Sequence, residues 1–232
     1  MLEISKRILE LYNNDEFKLI IITGDNGYGK SAYANNAIAE VYSDINDDTG
    51  NWSVSLFKKH IGFHPAKVMQ EFLNKRKRDR VFHWDDAGAW LNTMDYHDKF
   101  VISFGKYLQT ARTDWGAIIL SALDKDDVAN KIRSTRHAII IDITKRGDKY
   151  DNRRIANAVI YYKDKWGKLR WDEQWNEVFN CHMPESFYGW YRPLRDSYSR
   201  MAKQLMKEAL AKKKDIMRTA HFELDPDNDD EQ

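Results

Sequence analysis

The sequence predicts an α/β fold, a mostly parallel sheet with helices on both faces, and three observations carry that prediction. Four short apolar runs, at 18–23, 81–84, 117–122 and 138–143, alternate with stretches of helical periodicity, the pattern of strands buried on both sides. The first run, Lys18-Leu-Ile-Ile-Ile-Thr23, leads straight into Gly24-Asp-Asn-Gly-Tyr-Gly-Lys-Ser31. That is G-x-x-x-x-G-K-[ST] placed between a buried strand and a helix, the setting in which the motif binds phosphate. The second run, Val81 to Trp84, ends in Asp85-Asp86.

Taken in order, Leu2 to Tyr12 carries apolar residues near one helical face and predicts an N-terminal helix over 1–15. Residues 16–150 predict the catalytic core. In the loop, Gly24, Gly27 and Gly29 let the backbone curl so that successive N–H groups face a phosphate chain. Asp25, Asn26, Tyr28 and Ala32 complete the binding segment, Lys30 supplies positive charge at the β/γ-phosphates, and the Ser31 hydroxyl can ligate Mg²⁺. The helix from Ser31 to Tyr42 points its positive end at the same anion. ATP with Mg²⁺ is the ligand this segment implies.

Ser43 to Asn51 reads as a loop, Trp52 to Phe57 as a short strand and Pro65 to Lys77 as a helix closed by Lys75-Arg-Lys-Arg-Asp-Arg80. That cationic run has two readings: charges matched to a helix end, or a nucleic-acid contact. At the next strand end Asp85 is assigned to the metal and Asp86 to activation of the attacking water, with His83 a packed core histidine. Phe100 to Arg112 predicts a helix, and Gly116 to Ala122 a strand whose Ser121 can touch the γ-phosphate or the lytic water. Asp126 to Ser134 predicts a short helix, and Arg136 to Ile143 a further buried strand.

Residues 151–221 predict an addition packed on the core. Ile155 to Tyr162 and Lys168 to Trp171 read as paired strands joined by Asp164-Lys-Trp-Gly167. An aromatic segment follows (Trp171, Trp175, Phe179, Phe187, Tyr188, Trp190, Tyr191, Tyr198), then a basic helix from Tyr198 to Thr219 with Lys212-Lys-Lys214. Residues 222–232 predict a disordered acidic tail. The net charge is only +1, but the six acids between Glu223 and Gln232 offset a body in which 37 basic residues face 30 acidic ones, or +7. No apolar run approaches the ~20 residues of a membrane span, and the start, Met1-Leu-Glu-Ile-Ser-Lys-Arg7, lacks a signal peptide's apolar region. The single cysteine, Cys181, fits a reducing, cytoplasmic setting.

The order of P-loop, intervening strand, Asp85-Asp86 and Ser121 resembles the additional-strand P-loop ATPases, which implies a RecA-like fold. Within them, Gln109-Thr-Ala-Arg-Thr-Asp-Trp-Gly-Ala-Ile-Ile-Leu-Ser-Ala122 resembles the FtsK–HerA motors and the zonula-occludens-toxin-like proteins of phages and mobile elements. This likeness makes Arg112 a candidate arginine finger or sensor. It implies an ATP-driven motor for DNA translocation or packaging in a virus or mobile element, working as a ring such as a hexamer. The loop and Asp85-Asp-Ala-Gly88 equally resemble AAA+ ATPases of the replication-loader and initiator type. There Arg133 or Arg136 is the finger, and ATP controls assembly on a protein partner.

Overall fold

In the computed structural model, which describes residues 1–42, 52–95, 97–135, 138–147 and 152–223, the P-loop strand lies at the middle of the sheet. After helix α1 (Glu3–Asn13) come β1 (Lys18–Thr23) and α2 (Lys30–Tyr42). The chain continues through α3 (Val54–His60), β2 (Ile61–Gly62), α4 (Pro65–Leu73) and β3 (Asp79–Trp84). Then follow α5 (Lys99–Tyr107), β4 (Trp115–Ser121), α6 (Asn130–Arg133) and β5 (Ile139–Lys145). The order closes with β6 (Arg153–Lys163), β7 (Leu169–Asn180) and α7 (Glu185–Glu223). Among the described residues seven strands form one sheet in the order β2-β3-β4-β1-β5-β6-β7. Strands β2 to β5 are parallel, while β6 and β7 are antiparallel additions at one edge. Strand β4 sits between the P-loop strand β1 and the carboxylate strand β3, as the resemblance implied.

Alternation along the strands sorts the core into two layers. Leu19, Ile21, Phe82, Trp84, Ile118, Leu120 and Ile140 face a cluster with Val68 and Phe72 of α4, Val101 and Phe104 of α5, and Ile132 of α6. On the other face α1 and α2 pack together and onto β3 and β4, burying Ile4, Ile8 and Leu11 with Tyr33, Ala37 and Ile38. Removing each such aliphatic side chain from water contributes roughly 1.5–3 kcal/mol.

Several elements differ from the sequence reading. The Trp52–Phe57 stretch is not a strand. It enters α3, whose Phe57 stacks on Trp52 at 5.3 Å and on Phe187 at 4.5 Å. Helix α4 stops at Leu73, so the cations that follow do not close it. They close other helices instead. Arg78 donates to the carbonyls of Tyr12 (2.5 Å), Leu11 (3.2 Å) and Glu16 (2.6 Å) at the end of α1, a helix with no basic residue in its own last turn. Arg80 donates to Val41 O near the end of α2 at 2.9 Å. Lys75 pairs with Asp79 at 2.6 Å and lies over the Trp115 ring. In this run only Arg76 and Lys77 stay exposed; Arg78 and Arg80 serve the fold through carbonyls near helix ends. Arg78→Ala should therefore lower stability by about 2–4 kcal/mol, read as a drop in the urea midpoint. Lysine should recover only part of it, lacking the planar fork. A parental midpoint for Arg78→Ala would refute the capping role.

Strand β7 runs through Trp171, Trp175 and Phe179, so the first three of those eight aromatics belong to the hairpin. Helix α7 begins at Glu185 and continues past Pro193, well ahead of the expected Tyr198. The fold divides into one compact unit, Met1–Tyr188, and a second, Gly189–Gln232; α1 and the hairpin belong to the first. The loop expected at 43–51, the Lys212–Lys214 side chains and the tail from 224 lie outside the described residues. No helix among the described residues is long and apolar enough to cross a membrane.

Candidate nucleotide site

The P-loop joins β1 to α2 at the C-terminal end of the parallel strands. Gly24 has φ +134°, and a Cβ there would stand 2.5 Å from the carbonyl oxygen of Ile143, so no other residue fits. Its N–H donates to Leu123 O at 3.1 Å, tying the loop to the segment after β4. Lys30 is 8% exposed, and its Nζ arches back to donate to the carbonyls of Gly24 (2.6 Å) and Asp25 (3.1 Å). The ammonium is thus fixed inside the curl that its own loop forms.

Register in the sheet brings the next three groups to the same place. Strands β3 and β4 pair with Trp84 opposite Leu120, and β4 pairs with β1 so that Ser121 lies opposite Ile22. Asp85 therefore leaves β3 beside Ser121 and in front of the P-loop. Its carboxylate is fully buried and accepts from Ser31 Oγ (2.9 Å), Ser121 Oγ (2.5 Å) and the Asp86 N–H (3.1 Å) at Oδ1. Ser121 has one proton, given to Asp85, so its oxygen accepts the Asp86 N–H at 3.0 Å. His83 Nε2 lies 3.3 Å from the same oxygen, and His83 Nδ1 3.1 Å from Asn35 Oδ1. Burial holds the His83 pKa below its ordinary value, against the pull of Asp85, so the ring is neutral.

Asp86 differs from its neighbour in every respect. It is exposed, and it has φ +53°, a left-handed backbone. An aspartate tolerates that conformation at a modest cost, and such residues gather at functional sites. The turn releases the side chain from the core to the surface, while Asp85 stays inside.

The candidate residues do not all converge. Ser121 is spent on Asp85 and fully buried, so it stands behind the carboxylate and positions it. Arg112 precedes β4 and pairs with Asp15 at 3.1 Å, with Arg78 beside them. All three lie at the N-terminal end of the parallel strands, a sheet length from the P-loop, so Arg112 does not meet the P-loop of its own chain. Arg133, in α6 beyond β4, is at the same end as the loop and pairs with Asp126. Arg136 lies outside the described residues. The sequence reading did not include Asn35, Lys145 or Arg154. Asn35 had a signal: it is four residues after Ser31 on α2, hence on the same helix face.

The donor set of Ser31 and Asp85, two hard oxygens 2.9 Å apart, fits Mg²⁺, which takes one or two protein oxygens and fills the rest with water and phosphate. No group of three or more His, Cys, Asp or Glu suited to a metal occurs among the described residues, so these two would hold the ion only together with a nucleotide.

Fold and site together place a P-loop at the end of the central strand of a mostly parallel sheet, with a buried carboxylate on the strand after next. No protein-family model matches the chain. The uncharacterized protein B-251 of Sulfolobus spindle-shape virus 1 is 24% identical over 211 residues, covering 88% of this chain and 84% of that protein. Among solved structures, the N-terminal domain of zonular occludens toxin from Neisseria meningitidis is similar at TM-score 0.43 and 13% identity, over 74% of this chain and 97% of that one. The genome packaging NTPase B204 of Sulfolobus turreted icosahedral virus 2, solved in complex with ATP-gammaS, is similar at TM-score 0.38 and 13% identity, over 68% and 97%.

Proposed function

We propose that this chain is a Mg²⁺-dependent ATPase that works as a DNA motor. The observation that carries the ATPase reading is the hydrogen-bonded chain Ser31–Asp85–Ser121 at the mouth of the P-loop, with exposed Asp86 beside it. The loop N–H groups and Lys30 bind the β/γ-phosphates and stabilise the charge that develops on them. Ser31 and Asp85 hold the metal, which when bound neutralises phosphate oxygen charge. Asp86 orients the attacking water and accepts its proton. Ser121, with His83 and Asn35 behind it, keeps Asp85 aimed. Burial lets this network act in a low dielectric, where each fixed dipole counts for more than in water.

The DNA reading is supported by the β6–β7 hairpin. Its tip and outer strand expose Trp166 (75%), Trp171 (62%) and Tyr162 (42%), interleaved with Lys165, Lys168 and Arg170. Exposed aromatic faces among cations suit stacking on bases with phosphate pairing. The closing Asp164 accepts from the backbone N–H groups of Trp166 (2.9 Å) and Lys168 (3.0 Å) and pairs with Arg170, while Lys165 lies over the Trp166 ring at 4.3 Å; Lys165 and Lys168 are the cations we assign to phosphate. The test is ATP turnover with and without DNA, alongside binding measured across salt. The expected result is DNA-stimulated turnover, with the salt slope of binding reduced by about 1–2 units in Lys165→Ala/Lys168→Ala. Turnover indifferent to DNA, with no binding at low salt, would defeat the motor reading and leave an ATPase switch.

A further inference from the structure

We propose that Arg154 is a nucleotide-binding residue acting in cis, contacting the phosphate chain from its nucleoside side. This rests on the ATPase reading above. Strand β6 pairs with β5 so that Arg154 lies opposite Lys145, and with β7 so that it lies opposite Phe179. That row is level with the P-loop. A Cβ placed on Gly29, which has φ +97°, would stand 3.0 Å from Cys181 Cβ and 3.7 Å from both Arg154 Cγ and Phe179 Cζ. The arginine stem therefore rests against the loop immediately before Lys30 and Ser31.

The side chain is also fixed. Arg154 is 8% exposed, its Nη1 donates to Arg153 O at 2.8 Å, and Phe179 beneath it packs on Tyr33 of α2 at 4.7 Å. A guanidinium stays charged under all ordinary conditions and offers five donors in a planar fork. Its field reaches the loop: at the Tyr28 hydroxyl, where the hydrogen bond to Asp25 raises the pKa, the Arg154 charge opposes that rise. Lys145 Nζ stands over the same Tyr28 ring at 4.9 Å. A second and a third cation thus flank a loop whose own lysine is already committed to the β/γ end.

Sheet order sets which end of the nucleotide Arg154 meets. Asp85, Asp86 and Ser121 come from β3 and β4, on one side of β1, while Arg154 comes from beyond β5 on the other. The γ-phosphate belongs on the carboxylate side. Arg154 accordingly meets the part of the nucleotide that ATP and ADP share. An interaction equal in ground and transition states lowers KM without raising kcat, which separates this residue from an arginine finger.

The experiment measures ADP and ATP-γ-S binding by calorimetry, together with kcat and KM, for the full chain and for Arg154→Ala. The expected result is a rise of about 10- to 100-fold in Kd for both nucleotides, the usual weight of a charged hydrogen bond. KM should rise in parallel, with kcat within about twofold. Arg154→Gln keeps the stem packed on Phe179 while removing the charge, and it carries the same expectation if the alanine variant does not fold. Parental ADP affinity in a folded variant overturns the proposal, as does a fall in kcat at unchanged Kd. If the parent chain binds neither nucleotide the ATPase reading falls as well; if the parent binds and the variant binds equally, only the role of Arg154 falls.

Discussion

Lys30→Ala is expected to reduce ATP hydrolysis at least about 100-fold, the scale on which removing one preorganised donor to developing charge acts. The structure adds how the loss divides. Lys30 Nζ is held by the carbonyls of Gly24 and Asp25, so the ammonium also supports the empty loop. Alanine removes two hydrogen bonds from a neutral setting, and the nucleotide-free protein should lose about 1–3 kcal/mol. In the parent, ATP at 100 times its Kd raises stability by about 2.7 kcal/mol. Thermal unfolding with and without ATP and Mg²⁺ should therefore show a slightly lower midpoint for the variant and little or no nucleotide-dependent rise. A variant that still gains the parental rise, and still turns over, would remove Lys30 from the site.

Asp85→Asn should be nearly as damaging, for a different reason. The carboxylate is the convergence point of Ser31, Ser121 and the Asp86 N–H, all donors, and an amide presents an oxygen to them only by turning its nitrogen inward. The expected result is turnover lower by at least about 100-fold, with Mg²⁺-dependent nucleotide binding weakened. Asp86→Asn should instead preserve binding and lose turnover, if the exposed side chain has the proposed role of orienting the water and Asp85 that of holding the metal. Comparing the two variants by nucleotide titration at several Mg²⁺ concentrations separates the roles. Parental rates in both would falsify the assignment of this strand end to hydrolysis.

Much of this was legible in the chain because the central strands are buried on both faces. A run such as Lys18–Thr23 followed by Gly24–Ser31 has few structural alternatives, and the strands ending at Trp84 and Ser121 carry the same apolar signature. What escaped was decided by partners distant in sequence. Lys75 to Arg80 reads as a basic patch, yet Arg78 is spent on carbonyls of α1 more than 60 residues away. Nothing local announces that. Arg112 reads as adjacent to a catalytic strand, and it is, but at the strand's far end. Trp52 to Phe57 is too short for a period to distinguish strand from helix. Ser121 could be placed at the strand end from sequence, while its commitment to Asp85 depended on the register of β4 against β3.

The pairing of β6 with β7 has a mechanical side. From Arg154, against the P-loop, to Lys163 beside the exposed tip, β6 spans about 30 Å at 3.3 Å per residue, hydrogen-bonded to β7 throughout except at the bulge between Ala158 and Val159. Residues 154–160 of β6 pair with β5 as well, so only its last three residues extend past the sheet with β7 alone. One end bears on Gly29 through Arg154, Phe179 and Cys181, and the other carries Trp166 into solvent. The tip and the phosphate loop are thus joined by paired strand alone, with the register shift between Ala158 and Val159 as the irregularity in the β6–β7 pairing.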